Sequence, residues 1–435
     1  MENILISHNK HWERPYTGLY PRNLFQNLVN NLSVRHIQVL QGIRRSGKST
    51  LFRLLINYLA ESGNSVEILY LNLEDPFFTK YSKSPEKLYE IVETAQKLTG
   101  KKIRYLFLDE VQAITGWEKY VKTVYDNQEF EKIFITGSNS SLLNSEFATL
   151  LTGRFLSNMV YPLSFSELLN IKGITSYIQL VKKKADALAI VDSMLTYGSF
   201  VEIMDTDQEL RRDILSSYYD TILLKDCISN NHIRDIKSFQ ELSYYLLSNI
   251  SSLFSYSSLA KAVGIHDKSA KEFVLYLQQA YLLSELKLFS WSLKEQQNNK
   301  KKPYVIDNGF INLSFRFSSN KGKLLENLVF SELCKAGKEL FFYNKGFECD
   351  FIVKNEDNTL AAVQVCYELT DQNEKREVGA LNKIDNHYQT ISKTIITYNQ
   401  DSFIDGINVI PFWKYFQEFR GHTQFLLGLQ RPARF

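Results

Sequence analysis

The sequence predicts an α/β protein whose first third is a parallel sheet, and three observations carry that expectation. Short apolar runs alternate with helical stretches up to about residue 165. A glycine-bearing turn, Gly42-Ile43-Arg44-Arg45-Ser46-Gly47-Lys48-Ser49, joins the first run to a helical stretch. A later apolar run, Tyr105-Leu106-Phe107-Leu108, ends in Asp109-Glu110. Strands that alternate with helices are joined by crossovers, and such strands lie parallel in a sheet covered on both faces.

Along the chain, residues 1–33 read as a helical or irregular lead-in punctuated by Pro15 and Pro21. Strands are expected at 36–40, 66–73, 103–108, 133–136 and near 157–161, with helices at 85–98 and 117–125 between them. Long helical patterns follow at 176–195 and 207–224. Residues 243–288 then read as helix, turn, helix and strand (256–264, 269–280, 282–289), the order of a winged helix-turn-helix with the lysine-rich 294–302 as wing tip. A helix at 323–335 and short strands at 340–343, 349–354, 361–366 and 394–398 make a small α/β domain. The organisation is therefore a lead-in (1–33), a sheet domain (34–168), a helical linker or lid (169–240), a winged helix (241–310), an α/β domain (318–420) and a tail (421–435).

A length of 435 residues fits two or three domains, and 44% hydrophobic against 23% charged residues is ordinary for a chain that buries real cores. The formal net charge of +3 excludes a globally basic polyanion binder, so any nucleic-acid surface is a local patch. Cys227, Cys334, Cys349 and Cys366 have no metal-ligand spacing and are too few for a disulfide scaffold. The seven histidines show no metal-ligand grouping, and no Ser-His-Asp or Cys-His arrangement is evident. The N-terminus lacks a secretory pattern and no apolar run reaches the ~20 residues that span a bilayer, so a cytoplasmic protein without a membrane partner is expected.

The turn at 42–49 is a complete P-loop. Backbone N–H groups at a helix N-terminus wrap phosphates, where the helix dipole also favours negative charge. Gly42 and Gly47 permit the tight wrap, Lys48 reaches the β- and γ-phosphates of ATP, and Ser49 holds Mg²⁺. Thr50 opens the helix, while Ile43, Arg44, Arg45 and Ser46 complete the loop. Asp109 at the end of its strand binds Mg²⁺ through water, and Glu110 polarises the attacking water as general base. Thr136-Gly137-Ser138-Asn139 ends the next strand, where Asn139 or Ser138 faces the γ-phosphate or the segment is a plain turn. Arg154 either neutralises transition-state charge, in cis or across a subunit boundary, or is a surface arginine. Glu110 after Asp109 speaks for hydrolysis over phosphoryl transfer to an acceptor.

These residues resemble a widespread prokaryotic family of AAA-type ATPases with a C-terminal domain of unknown function. The markers are Gly42 to Thr50, Asn72-Leu73-Glu74-Asp75-Pro76, Leu106 to Gln112 with Trp117, Thr136-Gly137-Ser138, Leu151-Thr152-Gly153-Arg154 and Pro162 to Leu168. They continue with Tyr197-Gly198-Ser199-Phe200, Thr221 to Asp226, Tyr304 to Gly309 and Glu348-Cys349-Asp350-Phe351-Ile352. The resemblance implies an ATPase of the additional-strand class, then a winged helix, then a domain similar to restriction endonucleases.

A restriction-type nuclease holds Mg²⁺ with carboxylates and uses a nearby lysine to orient the attacking hydroxide. On that pattern Glu326 lies on a helix, Asp350 opens a strand and Gln364 stands on the next, but the lysine position is Cys366. A thiol supplies no fixed charge and Gln364 is a weaker Mg²⁺ ligand than a carboxylate, so a degenerate site without nuclease activity is expected. The helix at 269–280, with Lys261, His266, Lys268 and Lys271 beside it and Lys294, Lys300, Lys301 and Lys302 on the wing, suits DNA. Winged helices also bind proteins. Two functions follow: an ATPase whose cycle controls DNA engagement, or a nucleotide switch that presents a protein-interaction surface, with a homo-oligomer compatible with either.

Overall fold

The computed structural model describes residues 1–63, 65–140, 146–314 and 320–417, and the chain divides into two compact units. The first is Met1–Tyr161 with Gln279–Tyr281; the second is Pro162–Gln278 with Leu282–Phe435. The expected tail, 421–435, lies outside the described residues.

Five strands form the first unit's sheet: β1 (Ile37–Gln41), β2 (Ile68–Asn72), β3 (Tyr105–Asp109), β4 (Lys132–Gly137) and β5 (Phe155–Met159). They run parallel in the order β2-β3-β4-β1-β5. β4 is thus inserted between the strand that enters the glycine turn and the strand that ends in Asp109, the additional-strand arrangement. Alternate residues of each strand enter different cores. Val39, Leu71, Leu108 and Ile135 pack with Ile91, Trp117 and Val121 on one face. Leu40, Tyr70, Phe107 and Phe134 pack with Leu51, Phe52 and Leu55 on the other. Phe107 stacks on Phe134 with ring centres 4.2 Å apart, and Phe52 meets Phe107 edge-on at 5.1 Å. That cluster fixes the helix Lys48–Ser62 on the sheet, and truncating one of its rings to alanine costs about 3–5 kcal/mol.

The first 33 residues are not a separate lead-in. Helices Glu2–His8 and Leu24–Asn30 belong to the first unit, and side chains from the end of the first of them onward close the exposed edge of β2. The Asn9 side-chain oxygen accepts from the Tyr70 N–H at 2.7 Å, and His8 Nδ1 accepts from the Asn72 N–H at 3.3 Å. His11 Nε2 and Trp12 Nε1 both donate to the Ile68 carbonyl, at 3.1 and 2.9 Å. An open strand edge is a template for pairing with another chain, and these groups occupy it.

In the second unit, the stretch expected as one helix at 176–195 is two, Tyr177–Lys182 and Lys184–Tyr197. Helix Gln208–Thr221 runs on into a wider π-helical segment, Ile222–Ser229. Gly198 adopts φ +77°, and a Cβ there would lie 1.6 Å from Asp307 Oδ1. The Asp307 carboxylate accepts from the Ser199 N–H (2.8 Å), the Ser199 hydroxyl (2.9 Å) and the Gly309 N–H (2.9 Å). Two sequence markers a hundred residues apart are therefore halves of one buried clamp.

Helices Ile236–Ser248, Tyr256–Val263 and Asp267–Gln279 precede an antiparallel hairpin of β6 (Leu283–Leu286) and β7 (Lys302–Val305). Ser255 caps the middle helix through a capping box, and Gly264 in the left-handed region ends it. Residues 294–302, expected as an exposed wing tip, instead hold a helix, Leu293–Asn298, and end in two buried lysines. Lys301 Nζ donates to the Gln297 and Asn299 carbonyls and lies over the Tyr256 ring. Lys302 is 1% exposed. Neither is a phosphate contact.

The remaining strands, β8 (Glu339–Asn344), β9 (Glu348–Lys354), β10 (Leu360–Val365), β11 (Ser392–Thr397), β12 (Ser402–Ile404) and β13 (Ile407–Pro411), form a mixed sheet ordered β12-β13-β11-β10-β9-β8. Helix Glu374–Tyr388 packs Leu381 and Ile384 against Ile352 and Ile395 on one face. Helix Lys321–Lys335 brings Phe330 to Phe351 and Tyr304 on the other.

One pH dependence follows from the edge of β2. Burial holds the His11 imidazole down at about 4, its bond to Ile68 opposing. That value lies below the unfolded one of about 6.5, so the unfolded chain takes up the proton first as pH falls. Stability contributed by neutral His11 is complete above about pH 6.5 and is lost toward pH 4, by about 3 kcal/mol. The thermal midpoint of the full chain should drop across that window, and His11→Gln should flatten the drop. An equally steep profile in His11→Gln contradicts the assignment.

Candidate functional site

The C-terminal ends of the first unit's strands converge, because the pairing sets Gln41 beside Gly137 and Met159, and Asn72 beside Asp109. In such sheets ligands bind at that edge. Gly42 follows β1 so closely packed that a Cβ would meet the Val160 carbonyl oxygen at 2.2 Å. Arg45 and Gly47 both take positive φ, 69° and 99°, which curls the loop so that its N–H groups can line a concavity for an anion. Gly47 caps the helix that starts at Lys48, with Ser49 and Thr50 in its first turn. The Ser46 hydroxyl is buried and has no hydrogen-bond partner among the described residues. An orphaned hydroxyl inside an anion cradle fits a phosphate.

Lys48 Nζ, itself buried, donates to the Gly42 and Ile43 carbonyls at 3.0 and 3.2 Å and lies 3.6 Å from Glu110 Oε1. Arg44 pairs with Glu74, its NH1 3.0 Å from Oε2. From behind, Arg22 supports the loop: one guanidinium nitrogen donates to the Ser46 carbonyl at 2.9 Å and another to the Tyr161 carbonyl at 2.7 Å.

Asp109 is buried at the end of β3 and accepts from three hydroxyls. These are Tyr70 on β2 at 2.7 Å, Thr136 on β4, and Ser49 of the P-loop helix. The Thr136 hydroxyl also accepts the Glu110 N–H at 2.9 Å. Glu110 sits at φ 55°, a strained region for a side chain of its kind, and its Oε2 accepts from Gln112 at 2.5 Å and from the Ser138 N–H at 3.2 Å. Burial pushes the Asp109 carboxyl above its usual range, and the neighbouring Glu110 adds to that. Burial also pushes Glu110 up, but Lys48, Gln112, Arg44 and Ser138 outweigh it and hold the carboxyl below its ordinary value. Adjacent acids are thereby driven apart. Mg²⁺ fits this donor set, since the Ser49 hydroxyl and a carboxylate oxygen of Asp109 already meet.

Asn139 is buried just past β4, next to the Ser138 that contacts Glu110. Arg154 does not join the site. Its carbonyl accepts the Ile37 N–H at the opposite end of β1, and its guanidinium pairs with Asp126 at 3.2 Å and the Leu150 carbonyl at 3.0 Å. The five strand residues Ile37–Gln41, about 16 Å of chain, separate its backbone from the P-loop, and its guanidinium is turned to Asp126 and Leu150 instead.

The nuclease-like residues of the second unit are only partly brought together. Gln364 is no ligand: its oxygen accepts the Asp350 N–H at 3.1 Å and its nitrogen donates to Glu377 at 2.7 Å. Cys366 donates to the Glu368 carbonyl and accepts from Asn373. Glu326 and Asp350 do converge, on Lys302, whose Nζ lies 3.4 Å from Glu326, 3.5 Å from Asp350 and 2.7 Å from Glu348. The cation absent at 366 in the sequence pattern enters from β7 instead.

Sequence reasoning missed Tyr70 and Arg22, and it gave Gln112, Glu348 and Tyr304 no site role and Lys302 a place on the wing. Lys302 had a signal: with period 2 it shares a strand face with Tyr304, a core residue. Arg22 had none.

A family described as an AAA domain matches residues 34–169; a domain of unknown function (DUF8612) matches 189–321, and another (DUF4143) matches 321–415. The uncharacterized protein MJ1544 of Methanocaldococcus jannaschii is 34% identical over 407 residues, which covers 87% of this chain and 88% of that one. An uncharacterized protein of Haemophilus influenzae is 31% identical over 396 residues, covering 89% and 96%. Among solved structures, the Orc1 protein of Aeropyrum pernix in complex with DNA aligns at 14% identity and a TM-score of 0.32, covering 70% of this chain and 94% of that one. A likeness so distant bears on nothing further here.

Loss of the Lys48 ammonium removes a charge-assisted phosphate contact, worth about 1.5–3 kcal/mol or roughly 10- to 100-fold in affinity. Titration calorimetry with a non-hydrolysable ATP analogue should show that loss in Lys48→Ala, and unchanged affinity would remove the loop from the nucleotide site.

Proposed function

We propose that this chain, which belongs to the family of MJ1544 and matches an AAA domain over residues 34–169, is a Mg²⁺-dependent ATPase whose nucleotide cycle controls engagement of DNA through its C-terminal half. The observation that carries the hydrolytic part is the pairing of Asp109 with the Ser49 hydroxyl while Glu110 faces Lys48. ATP lies along the N–H groups of 42–49, with Lys48 at its terminal phosphates and the Ser46 hydroxyl as an added donor. Mg²⁺ at Ser49 and Asp109 supplies charge neutralisation on the phosphate oxygens. Glu110, kept ionised, takes the proton of the attacking water. Tyr70 and Thr136 fix the Asp109 carboxylate, and Ser138 with Asn139 borders the water's position. Arg154 is left with a role across a subunit boundary, toward a neighbouring copy's nucleotide, or with none in turnover.

The DNA part rests on the three-helix and hairpin order at 236–305, which favours a winged helix, and on exposed basic side chains. Lys261, His266, Lys268, Lys271, Lys294 and Lys300 are exposed, and they suit phosphate contacts around a recognition helix at Asp267–Gln279. The second reading, a switch that presents a protein-interaction surface, is favoured by a cleft of about 660 Å³ lined by Tyr219, Leu223, Glu241, Tyr244 and Tyr245.

Duplex DNA should be retarded by the chain at roughly 50 mM salt and released as salt rises, as counterion release requires. Lys268→Glu with Lys271→Glu should abolish that retardation, and DNA should raise the ATPase rate of the natural chain. Absence of retardation at low salt, with an ATPase rate indifferent to DNA, would select the protein-interaction reading.

A further inference from the structure

The second unit's carboxylate cluster has the outline of a divalent-metal site, yet a metal does not fit it. Lys302 Nζ stands among Glu348 at 2.7 Å, Glu326 at 3.4 Å and Asp350 at 3.5 Å. An ammonium has three N–H donors, and here three carboxylates surround it. Two further hydrogen bonds orient these carboxylates. Glu326 Oε1 also accepts from the Tyr304 hydroxyl at 2.6 Å, and Asp350 Oδ2 accepts from the Val365 N–H at 2.9 Å. Mg²⁺ needs six oxygens at about 2.0–2.1 Å in octahedral array, and a second cation in this space would face the ammonium directly. Among the described residues no group of three or more His, Cys, Asp or Glu side chains is arranged to hold a metal ion.

The lysine is not free to leave. Lys302 begins β7 opposite Leu286, and the Asn327 amide grips the same strand by accepting the Val305 N–H at 2.8 Å and donating to the Val305 carbonyl at 2.9 Å. Its stem is buried with the head, and the head lies 5.7 Å from the centre of the Phe342 ring. Burial of a lone ammonium favours the neutral amine, but the three carboxylates outweigh that and hold Lys302 protonated.

We propose that the Lys302 ammonium is the resident cation of the Glu326–Glu348–Asp350 cluster, standing where a nuclease-type site would hold a divalent metal. The domain therefore takes no metal at this cluster. Its lysine ties the hairpin to β9 and to helix Lys321–Lys335, and deleting the ammonium opens a latent metal site.

The test is Mn²⁺ binding to the full chain without nucleotide, followed by electron paramagnetic resonance, with Asp109→Asn in every sample to silence the P-loop site. With Lys302 present, no bound Mn²⁺ sensitive to Asp350→Asn is expected. Lys302→Met should gain one Mn²⁺ per chain and lose it when Asp350→Asn is added; Mn²⁺ should also raise the thermal midpoint of Lys302→Met alone. Lys302→Gln, which keeps a polar head for the carboxylates, replaces Lys302→Met if that variant does not fold. One Mn²⁺ bound by the lysine-bearing chain and removed by Asp350→Asn would overturn the proposal, as would a folded Lys302 variant that gains none.

Discussion

Three hydroxyls from three different elements donate to one buried carboxylate: Ser49 from the P-loop helix, Tyr70 from β2 and Thr136 from β4 all meet Asp109 on β3. A buried carboxylate with no partners is costly, and each hydrogen bond to a charged group recovers about 1.5–3 kcal/mol. The convergence depends on strand order. Only because β4 lies between β1 and β3 does Thr136 arrive beside Asp109, and the parallel register of β2 with β3 brings Tyr70 to its other side. Thr136 then receives the Glu110 N–H, so the same hydroxyl orients both acids. The placement of the P-loop, the aspartate and the glutamate is one constraint.

The two units treat buried charge alike. In the first, Lys48 is held by loop carbonyls and by Glu110; in the second, Lys302 is held by three carboxylates and Lys335 by Glu332 and the Leu163 carbonyl. Ions taken out of water persist only where every donor and acceptor is met. What differs is access to a ligand. The P-loop keeps a buried Ser46 hydroxyl with no partner among the described residues, whereas the carboxylates of the Lys302 cluster already hold an ammonium.

Much of the first unit was legible in the sequence because its signals are local. A glycine turn between strand and helix, and an apolar run closed by two acids, specify their own conformations, and all five strands stand within two residues of their expected places. The part the N-terminal segment plays was not legible because His8, Asn9, His11 and Trp12 act as an edge partner for β2 through side chains, which leaves no periodicity to detect. Arg154 was read from motif position, and strand direction then carried it to the far end of β1. Lys301 and Lys302 were read as wing-tip lysines suited to DNA because the lysine-rich run follows the helices; the strand that buries them begins inside the run. Tertiary convergence of the Lys302 kind joins β7, a helix and β9, and no spacing in the sequence encodes it.

In the proposed ATPase, Asp109 serves metal binding and Glu110 serves water activation, and this division sets the outcome of a single turnover. It is tested most directly by acid-quenching the natural chain and Glu110→Gln after incubation with limiting Mg²⁺-ATP, then separating bound ATP from bound ADP. ADP is expected on the natural chain, and ATP retained unhydrolysed on Glu110→Gln. Conversion of ATP by Glu110→Gln at the natural rate would contradict it.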